Sequence, residues 1–183
     1  MLLDWHKNRS DLENLELPDT TTSDIDQVAL RDARLQRLRA EMARFAVDAV
    51  VLHDPVNVRY ASGARNMQVF MARNPARYLF VPQQGPVVLF EFEGCHHLAR
   101  DLETIDEIHP AITASFVAAG SAVETAERRW ASQIADTARR ICGPGCTIGL
   151  ERVNAGAALA LAGEGFRIVD AQRPVERARA IKT

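Results

Sequence analysis

Three places in this chain combine residue types and spacing that could do chemistry. The first is Cys95-His96-His97, a thiol followed by two imidazoles. A metal centre needs three or four such ligands in suitable geometry. Consecutive residues on a helix point in different directions, and no CxxC or HExxH partner accompanies the triplet. The second is Cys142 and Cys146, which bracket Gly143-Pro144-Gly145. That spacing is one residue longer than a CxxC redox pair, and the segment ends a helix, whereas a helix N-terminus is what makes a thiol acidic. Two structural thiols are expected. The third is His53-Asp54, directly after a short apolar run. In open α/β sheets ligands gather outside the carboxyl ends of the strands. His53 is therefore a substrate-contact candidate; the alternative is a histidine packed beside the N-cap of the next helix. No GxGxxG, GxxxxGK[ST] or GxSxG pattern is present. No catalytic residue and no metal ligand is assigned to the chain.

A fourth region is notable for its length. Ser62 to Ala76 connects two confident elements through about fifteen residues, and connections that long are usually functional or disordered. Met67, Val69, Phe70 and Met71 do not suit disorder. Arg65, Arg73 and Arg77 carry guanidinium groups that can fork onto a carboxylate. The segment either pairs as an additional strand or presents apolar and cationic groups to a partner. On the second reading, Arg73→Ala or Arg77→Ala impairs substrate binding and leaves folding stability nearly unchanged.

The surrounding elements follow from periodicity. Leu35, Leu38, Met42 and Phe45 share one face of a helix over residues 28–45. Ala49 to Leu52 is apolar throughout, as a strand buried on both faces should be. Asp54 and Pro55 cap and open a short helix. Residues 77–81 and 86–90 form a hairpin through Pro82-Gln-Gln-Gly85. Cys95 to Leu102 is predicted as a brief helix and residues 105–109 as an edge strand. Ser121 and Glu124 make a capping box for a helix reaching Ile141, with Trp130 and Ile134 in its apolar stripe. Strands over 147–150 and 166–169 alternate with helices over 154–161 and 173–181. This order predicts an α/β fold, a central mixed β-sheet with helices on both faces. Residues 1–27 read as a polar N-terminal arm, 28–180 as the domain, and 181–183 as the start of a linker to a further domain.

Composition excludes several classes. Charged residues are 25% of the chain, yet the net charge is only −2 and aromatics are 6%, so neither a nucleic-acid nor an anionic-membrane surface is indicated. No stretch approaches the ~20 apolar residues of a membrane span. Three cysteines without a signal peptide predict a reducing, cytoplasmic setting.

Two motifs at opposite ends of the domain carry a resemblance. Asp48-Ala-Val-Val-Leu52 with Asp54-Pro-Val-Asn-Val-Arg-Tyr-Ala-Ser-Gly63 resembles the opening of the N-terminal domain of creatinase and prolidase-type enzymes. Glu176 to Thr183 resembles their linker into the pita-bread metallohydrolase domain. Asn66-Met-Gln68 and Asn74-Pro75 look like the branch that contains a metal-dependent dimethylsulfoniopropionate lyase. The resemblance implies catalysis in a following domain, where two Asp, a His and two Glu hold a dinuclear divalent metal centre; no cofactor is expected in this chain. It also implies a homodimer and a small-molecule or dipeptide substrate, with an aromatic and an Arg of the long connection helping to hold it. Phe70, Arg73 and Arg77 are the nearest matches. The alternative is a stand-alone oligomeric binding module.

Overall fold

The computed structural model describes residues 25–66 and 74–181. The first helix, α1 (Gln27–Arg44), is capped by Asp26, whose carboxylate accepts the Ala29 N–H at 2.9 Å. Strand β1 (Ala49–Leu52) is buried along its whole length. Helix α2 (Pro55–Ser62) starts as its sequence dictates: Asp54 accepts the Val56 N–H at 2.8 Å and proline occupies the first turn. Gly63 ends α2 in the left-handed conformation, φ 79°, where a side chain would also collide with Arg31. The hairpin is β2 (Tyr78–Pro82) and β3 (Val88–Glu91), followed by β4 (Glu107–Pro110). Then come α3 (Phe116–Ala119), α4 (Val123–Ile141), β5 (Thr147–Leu150), α5 (Ala155–Gly163), β6 (Arg167–Asp170) and α6 (Gln172–Ala180).

The six strands form one sheet in the order β4-β3-β2-β1-β5-β6. β2 pairs antiparallel with both β1 and β3, and every other pairing is parallel. Five strands therefore run one way and β2 alone runs against them. Period-2 alternation splits the core. Ala49, Val51, Tyr78, Phe80 and Phe90 face α4 and α5. Val50, Leu52, Leu79, Val81 and Leu89 face α1, α2 and α6. The sheet is mixed and covered on both faces, as predicted.

Local departures have identifiable causes. The capping box at Ser121 and Glu124 does not form: α4 starts at Val123 with no side-chain cap, because residues 120–122 are a 3₁₀ turn. Ser115 acts as a cap instead, on α3. The helix expected over residues 95–102 is reduced to a 3₁₀ turn, His96–Leu98. In the long connection no strand forms among the described residues. The N-terminal arm lies outside the described residues except for its last three positions.

Candidate functional site

Because β1, β3, β4, β5 and β6 run in parallel, their carboxyl ends share one edge of the sheet, and the start of β2 joins them there. Two buried carboxylates mark this edge. Glu151 directly follows β5. Its Oε2 accepts the backbone N–H groups of His53 (3.2 Å) and Asp54 (3.0 Å), and its Oε1 accepts the Asn57 amide. One carboxylate thus ties the end of β5 to the β1–α2 turn. Burial pushes its pKa up, and the hydrogen bonds from Asp54 and Asn57 offset part of that rise. Arg152, the next residue, holds a positive φ of 52° and pairs with Asp54.

In front of Glu151 opens a cleft of about 270 Å³. Asp54, Asn57, Arg152, Asp170, Glu176 and Arg179 line it together with Glu151. The amino ends of α2 and α6 both open here, and each already carries a carboxylate. Asp54 accepts from Val56, and Asp170 accepts the Gln172 N–H at 2.9 Å.

The second buried carboxylate is Glu91, at the end of β3. It accepts Arg77 Nε at 2.6 Å, Asn66 Nδ2 at 3.0 Å and the Phe92 N–H at 2.9 Å. Asn74 accepts the Ser115 hydroxyl at 2.5 Å. The chain is therefore fixed by side-chain hydrogen bonds at Asn66 and at Asn74.

The sequence candidates fall out as follows. Arg77 is only 1% exposed. It is neither a surface salt bridge nor a free carboxylate grip, and the expectation that its loss would spare stability is corrected. Register explains the placement: Tyr78 sits opposite Phe90, so the preceding Arg77 falls beside Glu91. His53 is likewise buried. Alternation along β1 turns its ring onto the α4 side, 5.2 Å from the Tyr78 ring and 5.8 Å from that of Trp130. Its Nδ1 has no hydrogen-bond partner among the described residues. Burial drops its pKa to about 4. In this structure neither side chain reaches the surface to touch a substrate. Phe70 and Arg73 lie outside the described residues.

Among the described residues no group of three or more His, Cys, Asp or Glu side chains is placed to hold a metal ion. Cys95-His96-His97 sits on the 3₁₀ turn, with His97 Nδ1 3.1 Å from the Gly94 carbonyl. Burial raises the pKa of Cys142 to about 12 and also raises that of Cys146, as inert structural thiols require. Glu91, Glu151 and Asn57 were missed by sequence reasoning. The available signal was an acid directly behind the apolar end of a strand run, Phe90 before Glu91 and Leu150 before Glu151.

The sequence over residues 34–181 matches the creatinase/prolidase N-terminal domain family. The chain belongs to this family. The dimethylsulfoniopropionate lyase DddP of Roseobacter denitrificans is 25% identical over 180 residues, which are 98% of this chain and 37% of the lyase. DddP of Roseovarius nubinhibens is 25% identical over 86% of the chain and 35% of its own length. The chain thus spans about a third of the curated relatives it matches. The N-terminal domain of the cytoplasmic peptidase PepQ from Mycobacterium tuberculosis superposes with a TM-score of 0.54 at 24% identity, covering 80% of this chain and 98% of that one. Dipeptidase PepE from Mycobacterium ulcerans gives 0.58 at 15% identity, covering 86% and 38%. These likenesses establish the fold of a creatinase/prolidase N-terminal domain. Among the described residues no helix is long and apolar enough to cross a membrane.

Proposed function

We propose that this creatinase/prolidase N-terminal domain performs no turnover itself. It serves a cytoplasmic metalloenzyme of the Xaa-Pro dipeptidase type, forming a homodimer and helping to shape the substrate pocket of a partner subunit. The observation that supports this reading most is the family match over residues 34–181 in a chain about a third the length of its curated relatives. The dinuclear divalent metal centre that such an enzyme needs belongs, on this reading, to a catalytic domain whose ligands are not among these residues. The substrate is a dipeptide or another small molecule. Phe70 and Arg73 are the substrate contacts proposed here. Arg77 contributes through its buried pair with Glu91.

The test uses the enzyme that carries this domain. Arg73→Ala should weaken substrate binding or turnover about tenfold or more, since a charge-assisted hydrogen bond contributes ~1.5–3 kcal/mol, and Phe70→Ala should weaken it through lost apolar contact. Sedimentation should give a dimer. Wild-type kinetics in both variants, or a monomeric enzyme, would remove the proposal. A second reading, a lyase acting on dimethylsulfoniopropionate, draws on the two curated relatives, both named as such lyases. Parallel assays with dimethylsulfoniopropionate and Xaa-Pro dipeptides separate the two.

A further inference from the structure

A second cleft, of about 220 Å³, opens between the carboxyl end of α1, the first turn of α6 and the outer strand β6. We propose that it binds a small organic carboxylate.

Three observations carry this. The first is a pair of uncommitted cations. Alternation puts Arg167 on the same side of β6 as Val169, which packs toward α1 and α6, and α6 brings Arg173 to the same cleft. Neither guanidinium has an ion pair or a hydrogen bond among the described residues. The other arginines of this face are committed: Arg44 and Arg177 share Glu41, and Arg37 donates to the Ile181 carbonyl. Two acids stand near. Asp170 lines the cleft, and its Oδ1 accepts the Gln172 N–H. Asp48 accepts the N–H of Thr147, another lining residue. The lining itself carries two positive charges against one negative, in a chain whose net charge is −2. A cleft lined mainly by one sign of charge concentrates the opposite sign.

The second is positioning. The Arg173 guanidinium lies over the Phe45 ring, 5.1 Å from its centroid. That contact restricts the side chain without consuming its N–H donors, which keep the fork geometry that matches a carboxylate.

The third is the apolar part of the wall. Phe45, Val47, Val169 and Pro174 line the cleft beside the two arginines, and Val47 and Pro174 are buried residues. A bare inorganic anion leaves those groups wet. A short carbon chain attached to the anion covers them, and each buried methylene favours binding. A few polar groups set in an apolar wall are the usual make-up of a small-molecule site.

The ligand that fits has a carboxylate for Arg167 and Arg173 and a few carbons for the wall. For one as small as propionate, a dissociation constant of about 1 mM is a modest yield per heavy atom.

The experiment is an amide-resolved NMR titration of the 183-residue chain with sodium propionate, sodium phosphate and sodium chloride, added separately at matched ionic strength. Propionate should shift the amides of Phe45, Ala46, Val47, Thr147 and Arg173 saturably, chloride should not, and phosphate should bind more weakly than propionate. Both arginines are exposed, so Arg167→Gln and Arg173→Gln should each weaken propionate binding about fivefold or more with unchanged thermal midpoints. Asp170→Asn, which can still cap α6, should tighten it about twofold. No saturable shift, the same shifts from chloride, equal or tighter binding of phosphate, or undiminished binding in either arginine variant would each overturn the proposal. The outcome is independent of the dimer and substrate assignments above, because only this chain and these ions are involved.

Discussion

Arg77 and Glu91 form an ion pair inside the protein: Nε lies 2.6 Å from Oε2, and the side chains are 2% and 0% exposed. They end up side by side because β2 and β3 pair antiparallel with Tyr78 opposite Phe90. Glu91 also accepts from Asn66, so the pair connects the hairpin to the end of the α2 segment.

Removing one member strands the other charge. Arg77→Ala and Glu91→Ala should each cost about 3–5 kcal/mol. The double replacement Arg77→Met with Glu91→Leu should cost clearly less than the two single costs together, because no buried charge is left over. Urea unfolding of the four proteins measures this. Single variants within ~1 kcal/mol of wild type would show that the pair is solvated.

Trp130 stands in the middle of the buried α4 face, with its ring edge-on to Tyr78 at 6.0 Å. Trp130→Ala should cost about 3–5 kcal/mol through lost burial and the cavity that remains. Trp130→Phe keeps part of the ring and should cost less. Denaturant midpoints at constant m-value give the comparison.

His53 makes stability depend on pH. Its folded pKa is about 4, below the ordinary value near 6.5. Between those values the unfolded chain binds the proton and the folded chain does not, so stability falls as pH drops from about 6.5 to 4. The full effect is on the order of 3 kcal/mol. Glu151 works in the opposite sense. Its pKa is raised in the fold, so its neutral form favours the native state below the ordinary carboxylate pKa, and that contribution is lost as pH rises through the raised value. Urea midpoints at pH 7, 5.5 and 4.5 should decline for the wild type and decline less for His53→Gln. Equal slopes would assign the acid limb to other groups.

Gly63 closes α2 at φ 79°, with its N–H bonded to the Arg59 carbonyl at 2.8 Å. Gly63→Ala places a Cβ against the Arg31 side chain and puts an L-residue in left-handed backbone, at about 1–2 kcal/mol. Displacing Arg31 also disrupts its fork onto Glu103, whose bonds are 2.6 and 3.0 Å. A thermal midpoint equal to wild type would show that α2 tolerates the added methyl.

The legible parts of this fold were those fixed by short-range pattern. β1, the hairpin, β5, β6 and the stripes of α1 and α4 follow from runs of a few residues whose period matches one element. The Asp54-Pro55 start of α2 is also local chemistry. The misses share a different origin. Ser121 and Glu124 have the right spacing for a capping box, yet the preceding glycine turn redirects the backbone, and no rule confined to four residues registers that. Glu151 meets Asn57 across 94 residues and Glu91 meets Arg77 across 14. Such pairs exist only once strand order and register are set. His53 was singled out correctly as a residue at a strand's carboxyl end, but the face it takes depends on the parity of β1, which an all-apolar run conceals.

The first and last helices of the fold cover one another. Arg177 of α6 bonds Glu41 of α1 at 3.0 Å, and Arg37 donates to the Ile181 carbonyl at 3.3 Å. The residues bonded in the first of these pairs are 136 positions apart. At ribosomal rates of ~5–20 residues per second, α1 waits roughly 7–27 s before its partner is made. During synthesis the stripe of Leu35, Leu38 and Met42 has no α6 to rest on, so completion of that face is a late, post-emergence event. Until residues near 178 leave the exit tunnel, that face stays open to proteolysis.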